Sequence, residues 1–362
     1  MSGTLEEARA IINEVDARMA ELFVKRMRAA EMVYAHKKAY GLPIPDQKRE
    51  AAVLEKNAAL VEDPVLKEYY IDYLNHLMSM SRAYQHRLQN GLKVAYSGVE
   101  GAFAHIAAGR IFPESTRVPC GSFQEAYEAA AGGECDVAVL PIENSYAGEV
   151  GQTMDLIFSG GLFINGIYEL QIRQNLLGIP GATAEDIRKV KSHPQALAQC
   201  HDYLVRRGLA AEEAGNTAVA AKMVADAKDK SLGAIASAET AELYGLKVLE
   251  TNINKSGENT TRFAVLSKVQ AGSPALSGSV LMFTVRHEAG SLANAIGMIG
   301  KYGYNMTALH SRPLKKHSWQ YYFYMELDGT LDNDTGTKML AELGTVCDRL
   351  KVAGTFAPHA EI

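Results

Sequence analysis

Glycine is distributed very unevenly along this chain, which limits the folds that each part can adopt. Only two of the 31 glycines, Gly3 and Gly41, lie within residues 1–90, where apolar residues recur at helical spacing. From Lys93 onward, short apolar runs alternate with helical stretches and glycine-containing turns. The sequence therefore predicts an all-helical segment followed by α/β structure.

Length, composition and charge bound the class of protein. The chain has 362 residues, more than the ~250 to 300 at which a single core stops growing, so we expect several domains. Hydrophobic residues make up 47% and charged residues 22%, as is typical of globular proteins. A net charge of -5 argues against a protein that coats nucleic acid or an anionic membrane.

Targeting signals and cysteine pairs are absent from the sequence. No apolar run approaches the ~20 residues that span a bilayer, and the N-terminus lacks the layout of a signal peptide. Cys120, Cys135, Cys200 and Cys347 form no CxxC pair, so neither a disulfide framework nor a zinc site is indicated. We expect a cytoplasmic protein with free thiols, without metal or other cofactor.

Capping residues divide the first 90 residues into three predicted helices. Thr4 and Glu7 form a capping box that begins a helix of about 35 residues, which ends at the break 41–45. Asp46 is placed to cap a second helix, and Asp63 precedes a proline at the first position of a third.

Two cations occupy positions on the apolar side of the first predicted helix. Steps of three and four residues form a seam that we expect to face inward, namely Leu5, Ala8, Ile12, Val15, Met19 and Leu22. Arg26 continues this stepping, and Lys37, 11 residues later, faces the same way. A buried cation is costly without an anion. Either carboxylates on neighbouring helices neutralise these cations, or the cations bind an anionic ligand.

Further polar residues accompany these cations. Asp46, Arg49 and Glu50 share one face of the second helix, and Ser81 and Gln85 interrupt an apolar stripe on the third. Arg9 lies 17 residues before Arg26, about 25 Å along the helix axis. Arg9 and Arg26 therefore do not easily serve one site in the same chain, and a dimer with exchanged helices would bring them together.

Residues 1–90 resemble the all-helical chorismate mutase family over their full length, and the eight polar positions match its active-site pattern. Chorismate is a dicarboxylate that rearranges to prephenate within one molecule, so the enzyme needs a shaped, charged pocket and no nucleophile. The resemblance implies that Arg26 and the partner chain's Arg9 bind the carboxylates, as guanidinium groups do well. It also implies that Lys37 and Gln85 donate to the ether oxygen. By the same resemblance, Asp46 and Glu50 are placed to contact the substrate hydroxyl and to order the cations. Arg49 and Ser81 complete the pocket.

Polar residues mark four stretches of the α/β segment. We expect the strand 137–140 to end in a turn carrying Glu143, Asn144 and Ser145, where open α/β sheets bind ligands. The second and third stretches are 192–195 and 259–263. In the fourth, Gly98 and Gly101 would offer backbone N–H groups to an anion at a helix start, although GxGxxG is missing.

Residues 94–268 resemble prephenate dehydratase, whose two-lobed fold is similar to that of periplasmic binding proteins. This resemblance implies that prephenate loses its ring hydroxyl and carbon dioxide together to give phenylpyruvate. Thr261 would then donate a proton or hydrogen bond to the departing hydroxyl. The other implied residues shape the pocket or support it: Gly98, Gly101, Glu143, Asn144, Ser145, His193, Gln195, Asn259, Arg262 and Phe263. Ala102 and Ala104 stand where the family has hydroxyl side chains, which leaves the preference between prephenate and arogenate open.

The last part of the chain reads strand, helix, strand, strand, helix, strand, the ferredoxin-like order. The predicted elements, after a linker at 271–275, are strands 279–286, 306–312, 319–327 and 351–356 and helices 290–302 and 336–350. This α+β unit resembles the ACT regulatory domain, which in this family binds phenylalanine. The implied effector positions are Gly290, Ser291, Leu292, Asn305, Ser311 and Arg312. His310 replaces the usual acidic residue, so phenylalanine sensitivity is left open, and a domain that only dimerises is the alternative.

Together these observations predict a multidomain enzyme resembling the bifunctional chorismate mutase/prephenate dehydratases. The expected domains are 1–90, 92–270 and 278–359. The expected partners are chorismate, prephenate, phenylalanine and further copies of the chain in a homodimer or homotetramer, without nucleic acid or membrane. A solute-binding protein is one alternative, and a chain with one inactive or arogenate-specific domain is another.

Overall fold

The structure is a computed structural model that describes residues 4–254, 259–270, 276–314, 320–357 and 360–362. The chain forms two compact units, Met1–Leu92 and Lys93–Ile362. None of the helices in the described ranges is long and apolar enough to cross a membrane.

The first unit consists of three helices: α1 Leu5–Ala39, α2 Gln47–Ala58 and α3 Pro64–Asn90. The predicted caps are confirmed. The Thr4 hydroxyl accepts from the Glu7 N–H at 3.2 Å, and the Glu7 carboxylate accepts from the Thr4 N–H at 2.7 Å. Asp46 accepts from the Arg49 N–H at 3.0 Å, and Asp63 caps α3. Local hydrogen bonds therefore fix where each helix begins.

The N-terminal half of α1 is uncovered, which differs from the predicted inward-facing seam. Leu5, Ile12 and Leu22 are 66%, 57% and 62% exposed. The described hydrogen bonds between α1 and α3 involve the later turns of α1, where Arg26 contacts Leu77 and Ser81. Hence α3 packs against the second half of α1, and the apolar side chains of the first half are exposed among the described residues.

The second unit contains nine α-helices, one short 3-10 helix at Ala184–Asp186 and sixteen strands among the described residues. The helices are α4 Phe103–Ile111, α5 Phe123–Gly132, α6 Gly151–Ser159, α7 Pro194–Gln199, α8 His201–Arg207, α9 Thr217–Ala227, α10 Ala238–Leu243, α11 Ser291–Lys301 and α12 Asp334–Leu343. The strands are β1 Lys93–Ser97, β2 Thr116–Cys120, β3 Val137–Asn144, β4 Gly148–Glu149, β5 Phe163–Gln171, β6 Asn175–Gly178, β7 Lys189–Ser192, β8 Ala210–Glu213, β9 Leu232–Ala236, β10 Lys247–Glu250, β11 Thr260–Ser267, β12 Gly278–Val285, β13 Met306–Pro313, β14 Tyr321–Asp328, β15 Cys347–Phe356 and β16 Ala360–Glu361.

Two sheets organise this unit. The larger has the order β13-β14-β12-β15-β5-β11-β3-β1-β2, with β16 beside β5 and β4 beside β3. The smaller has the order β10-β6-β9-β7-β8. We call the part built on β1–β5 and β11, with α4–α6, the first lobe, and the part built on β6–β10, with α7–α10, the second lobe. The chain passes between them after β5 and before β11, as expected for a two-lobed α/β fold.

The C-terminal region, β12 to β15 with α11 and α12, has the predicted βαββαβ order. The last helix was predicted too long. It ends at Leu343, with Gly344 as its C-cap, and residues from Cys347 onward instead pair with β12. The predicted linker 271–275 and the predicted strand start at Trp319 lie outside the described residues.

The C-terminal region and the first lobe share one sheet and a common hydrophobic cluster. β15 runs beside β5 at Gly354 and Ile164, and a Cβ on Gly354 would lie 2.0 Å from the Ile164 carbonyl oxygen, so only glycine fits. The rings of Phe158 on α6 and Tyr322 on β14 stack at 4.3 Å within a common hydrophobic cluster. The pairing of β15 with β5 and the stacking of Tyr322 on Phe158 therefore fix the C-terminal region to the first lobe.

Candidate functional sites

Arg26 is a half-buried cation of the helical unit. Its guanidinium donates to the Leu77 carbonyl at 3.2 Å and to the Ser81 hydroxyl. Burial lowers the pKa of Arg26, partly offset by Tyr73. No carboxylate forms an ion pair with Arg26 in the described part of the helical unit, so the alternative of a neutralised cation does not fit this residue.

The polar residues near Arg26 form hydrogen bonds mainly with backbone groups. Lys37 donates to the carbonyl of Ile44, which follows α1. Ser81 and Gln85 are buried, and the Gln85 amide donates to the Ser81 carbonyl at 3.3 Å. The Gln85 Oε1 atom is buried without a hydrogen-bond partner among the described residues. Arg26, Ser81 and Gln85 thus lie together, and Lys37 has no carboxylate partner in the described residues.

The other predicted mutase residues have different surroundings. Glu50 pairs with Arg82, a residue that the sequence analysis did not single out. Asp46 and Arg49 are exposed, and the Asp46 carboxylate is used as the helix cap. Arg9 is exposed on the uncovered half of α1 and does not reach Arg26 within one chain, as expected from their separation along the helix.

A cleft of about 280 Å³ lies between the two lobes of the second unit. Both lobes line it, and its polar side chains are Ser97, Asn144, Gln174, His193, Gln195, Gln199, Asn216, Thr217 and Thr261. Ala102, Phe103 and Phe263 supply part of its apolar lining. The predicted residues Asn144, His193, Gln195, Thr261 and Phe263 therefore meet at one cavity.

A hydrogen-bond network orients Thr261 at this cleft. The Asn144 amide donates to the Thr261 hydroxyl oxygen at 2.9 Å and to the Asn259 side chain at 2.8 Å. Its carbonyl oxygen accepts from the N–H groups of Tyr146 and Ala147, which fixes the turn. Because Thr261 accepts from Asn144, its own hydroxyl hydrogen is left to be donated to another acceptor.

The second lobe supplies several polar residues to the cleft. The sequence did not single out Gln174, Gln199 and Asn216, and it gave His193 and Gln195 only as residues that shape or support the pocket. The His193 Nδ1 atom accepts from the Gln195 N–H at 3.2 Å and caps α7. Gln174, 2% exposed, donates to Gln199 at 3.3 Å, and its Oε1 has no partner among the described residues. Asn216 caps α9. Among these three residues, only Asn216 had a local sequence signal, its position as a helix cap. The cleft contacts of Gln174 and Gln199 depend on tertiary packing.

Glu143 and Arg262 face away from the cleft, which corrects their prediction as pocket residues. β3 continues through Asn144 instead of ending at residue 140. Successive strand residues point to opposite faces, so Asn144 and Thr261 share one face and Glu143 and Arg262 the other. There the Arg262 guanidinium lies 3.0 Å from Glu143 and 2.7 Å from Glu326. Ser145 does not line the cleft, and its hydroxyl accepts from the Thr260 N–H at 3.0 Å.

Gly98 and Gly101 do not form the predicted anion cradle. The Gly98 N–H donates to the Cys120 carbonyl and the Gly101 N–H to the His105 Nδ1 atom, so both donors are already used. Gly101 instead allows close packing between the lobes. Its φ is +87°, and a Cβ there would lie 3.1 Å from Leu243 of the second lobe.

The predicted effector residues are spread over the C-terminal region. Leu292 lines a cavity of about 330 Å³ together with residues 285–289, next to the start of α11 at Gly290 and Ser291. Asn305 instead pairs with Asp328 at 2.9 Å. Ser311 lies on β13 opposite Phe323.

Arg312 turns toward the first lobe instead of the cavity beside Leu292. It binds Glu149 at 2.9 Å and Asp155 at 3.2 Å. Gly151 makes room for this guanidinium, because a Cβ there would lie 2.0 Å from it. The structure therefore brings Gly290, Ser291 and Leu292 together and separates Arg312 from them. Over the ranges described, no group of three or more His, Cys, Asp and Glu side chains could hold a metal ion.

Comparison with protein families finds two matching regions. Residues 94–271 match the family described as Prephenate dehydratase, and residues 8–86 match the family described as Chorismate mutase type II.

Two curated relatives illustrate the extent of the similarity. The bifunctional chorismate mutase/prephenate dehydratase of Aquifex aeolicus is 31% identical over 355 residues, covering 97% of this chain and 97% of the relative. Arogenate dehydratase/prephenate dehydratase 2, chloroplastic, of Arabidopsis thaliana is 34% identical over 276 residues, covering 73% of this chain and 72% of the relative. The first similarity extends over nearly the whole chain.

Two solved structures are each similar to about three quarters of this chain. Prephenate dehydratase from Arthrobacter aurescens in complex with L-Phe is 25% identical, with a TM-score of 0.67, and covers 74% of this chain and 90% of that one. A protein described as a novel type of quorum quenching acylase is 33% identical, also with a TM-score of 0.67, and covers 73% of this chain and 97% of that one.

Proposed function

The chain belongs to the bifunctional chorismate mutase/prephenate dehydratase family, and we propose that it rearranges chorismate at Arg26 and dehydrates prephenate at Thr261. Both activities serve phenylalanine biosynthesis. The observation that carries the proposal is how the side chains of Arg26 and Thr261 are hydrogen-bonded. Arg26 has no carboxylate partner in the described residues, and Thr261 is oriented by Asn144 at a cleft. Family membership also argues against the solute-binding alternative.

In the mutase reaction, the protein holds the substrate and stabilises charge. Arg26 offers a guanidinium that matches one carboxylate of chorismate. The rearrangement moves no proton and needs no nucleophile, so barrier lowering comes from fixing the folded conformer and from donors aimed at the ether oxygen. Gln85 and Lys37 are the proposed donors. Each would exchange its present backbone acceptor for the substrate oxygen.

In the dehydratase reaction, the ring hydroxyl leaves as carbon dioxide departs and the ring becomes aromatic. The departing oxygen needs a hydrogen-bond donor. Thr261 is proposed to supply it, because Asn144 occupies one acceptor position of its hydroxyl and so directs the hydrogen elsewhere. A threonine hydroxyl is a weak acid, so it acts as a positioned donor. Gln174 and His193 are proposed to contact the rest of prephenate across the cleft.

Arg9 is proposed to act in the partner's mutase site, in at least a dimer. The uncovered seam on α1 is a long apolar stripe of the kind that a second helix covers. A chain whose α1 packs along this stripe would carry its own Arg9 toward the other chain's Arg26.

Mixed dimers test this exchange. We expect Arg9→Ala and Arg26→Ala homodimers each to lose mutase activity. Coexpressed together, they should form heterodimers with one intact site and one site lacking both arginines, so activity returns to about half per heterodimer. The measurement is chorismate consumption by heterodimers purified with two different tags.

Continued inactivity of these heterodimers would place Arg9 and Arg26 in one chain's site and contradict the exchange. Dehydration of added prephenate serves as the internal control. It should be unchanged in every combination, since Thr261 is intact in all of them.

The C-terminal region is proposed to be an ACT-type domain that binds phenylalanine beside Leu292. Its βαββαβ order, the L-Phe complex of the Arthrobacter aurescens relative and the cavity at the start of α11 support this. A helix N-terminus suits the carboxylate of an amino acid.

Placing a charge in this cavity should weaken phenylalanine binding. We expect Leu292→Asp to lower the apparent affinity for phenylalanine by about tenfold or more, because the added negative charge would repel the carboxylate of phenylalanine beside the start of α11. Inhibition curves of prephenate dehydration would measure it. The uninhibited rate should stay near the parent rate, and an unchanged inhibition curve would move the effector site elsewhere.

Arogenate is the other candidate substrate of the cleft, and the name of the Arabidopsis thaliana relative covers both compounds. Ala102 and Ala104 line the cleft. They offer no hydrogen bond to distinguish the keto group of prephenate from the amino group of arogenate. The two compounds are therefore best compared by kcat/KM in one preparation.

A further inference from the structure

A buried carboxylate of the C-terminal region reaches the strand that carries Thr261. Glu326 lies on β14, and its side chain is 1% exposed. Its Oε2 atom is 2.7 Å from Arg262, and its Oε1 atom accepts from the Tyr324 hydroxyl at 2.7 Å. Removing one member of a buried ion pair leaves the other as an uncompensated charge. Glu326 and Arg262 therefore hold each other in place.

Arg262 is surrounded by carboxylates from three strands. Besides Glu326, the guanidinium contacts Glu143 on β3 at 3.0 Å and Glu169 on β5 at 3.9 Å. Burial would lower the pKa of Arg262, but the interactions with Glu326 and Glu143 raise it above its ordinary value. The side chain is thus a fixed positive charge that joins the first lobe to the C-terminal region.

The backbone at Arg262 is the place where β11 is irregular. Thr261 and Arg262 pair with Asn144 and Glu143, but the register with β3 shifts between Arg262 and Phe263. Such a bulge redirects the side chains beside it. Thr261 precedes Arg262 in the chain and points to the opposite face, so the direction of Thr261 depends on how Arg262 is held.

We propose that Glu326 is a positioning residue of the dehydratase site. It fixes Arg262, and thereby the bulged stretch of β11 that presents Thr261 to the cleft. This inference rests on the role of Thr261 proposed above. It makes the C-terminal region part of the dehydratase even without an effector.

The variant Glu326→Gln tests the proposal, since it preserves the shape of the side chain and removes its charge. We expect kcat for prephenate dehydration in the full-length enzyme to fall by between about ten- and a hundredfold, the effect of a small misplacement of a reacting group. KM should change little, because the cleft contacts remain. The double variant Arg262→Gln/Glu326→Gln should have a kcat no lower than that of the less active of the two single variants, since both changes break the same ion pair.

Two further variants accompany it. Tyr324→Phe removes one hydrogen bond to Glu326 and should lower kcat by a smaller factor, which also provides a test if Glu326→Gln does not fold. Glu342→Gln is the matched control. Glu342 pairs with Lys301 at 2.9 Å and with Tyr302 within the C-terminal region, so kcat should be unchanged.

Parental kcat in folded Glu326→Gln, or in Tyr324→Phe if the first variant does not fold, would overturn the proposal. A raised KM at constant kcat would do the same. Thr261→Ala, assayed alongside, separates the two claims. If Thr261→Ala is inactive and folded Glu326→Gln keeps the parental kcat, the positioning role alone fails. If Thr261→Ala stays active, the assignment of Thr261 fails as well.

Discussion

Thr261→Ala is expected to reduce the dehydratase kcat by about 10²- to 10³-fold, the usual cost of losing one donor to a developing negative charge. The change removes the hydroxyl that Asn144 orients at the cleft and leaves the strand and its neighbours in place. Conversion of added prephenate to phenylpyruvate measures the loss. Chorismate rearrangement by the same preparation should be unaffected, because Arg26 is intact.

Two neighbouring variants sharpen this test. Thr261→Ser keeps the hydroxyl and should retain much of the activity. Thr260→Ala is the matched control, because Thr260 lies one residue earlier, on the face of β11 that points away from Thr261, and its backbone bonds to Asn144 and Ser145 remain. Undiminished phenylpyruvate formation by Thr261→Ala would remove Thr261 from the reaction.

Arg26→Ala is expected to lower chorismate turnover by about 10²- to 10³-fold or more, because the variant loses a charged anchor in a partly buried site. Prephenate dehydration should be preserved. Arg26→Lys should recover only part of the rate, since an ammonium lacks the planar fork that binds a carboxylate through two donors. Steady-state assays with each substrate in turn measure both reactions.

Arg28→Ala controls for loss of a positive charge on the same helix. Arg28 lies two residues further along α1, its side chain is 71% exposed, and it pairs with Glu31. This variant should rearrange chorismate at the parental rate. Equal losses of both activities in Arg26→Ala would contradict separate sites and point to a folding defect, which thermal unfolding of the variant would detect.

Local signals predicted the helical unit well. Thr4, Asp46 and Asp63 cap helices where the sequence placed them, because a cap depends on residues two or three positions apart. The apolar seam of α1 was recognised, but the sequence could not show that its side chains are exposed in the described structure. Packing depends on where α3 lies, and periodicity alone does not contain that information.

The dehydratase site was predicted less completely. Asn144 and Thr261 were expected to lie together, and their 2.9 Å contact agrees. Glu143 and Arg262 were expected at the pocket, but β3 continues through Asn144 and pairs with β11, so both side chains lie on the face opposite to Asn144 and Thr261. Glu326 is 64 residues from Arg262 in sequence and carries no local signal, so only the pairing of distant strands shows the link.

The join at Gly354 determines where this protein can be shortened. A chain ending at residue 270 would lose β15 and β16, which pair with β5 on the edge opposite to β11, together with the ring that stacks on Phe158. Such a truncated dehydratase would present an unpaired strand edge and an open apolar surface, both of which favour aggregation. The natural cutting point lies instead between the two compact units, near Leu92. An engineered monofunctional dehydratase should therefore begin at about residue 93 and keep everything to the C-terminus.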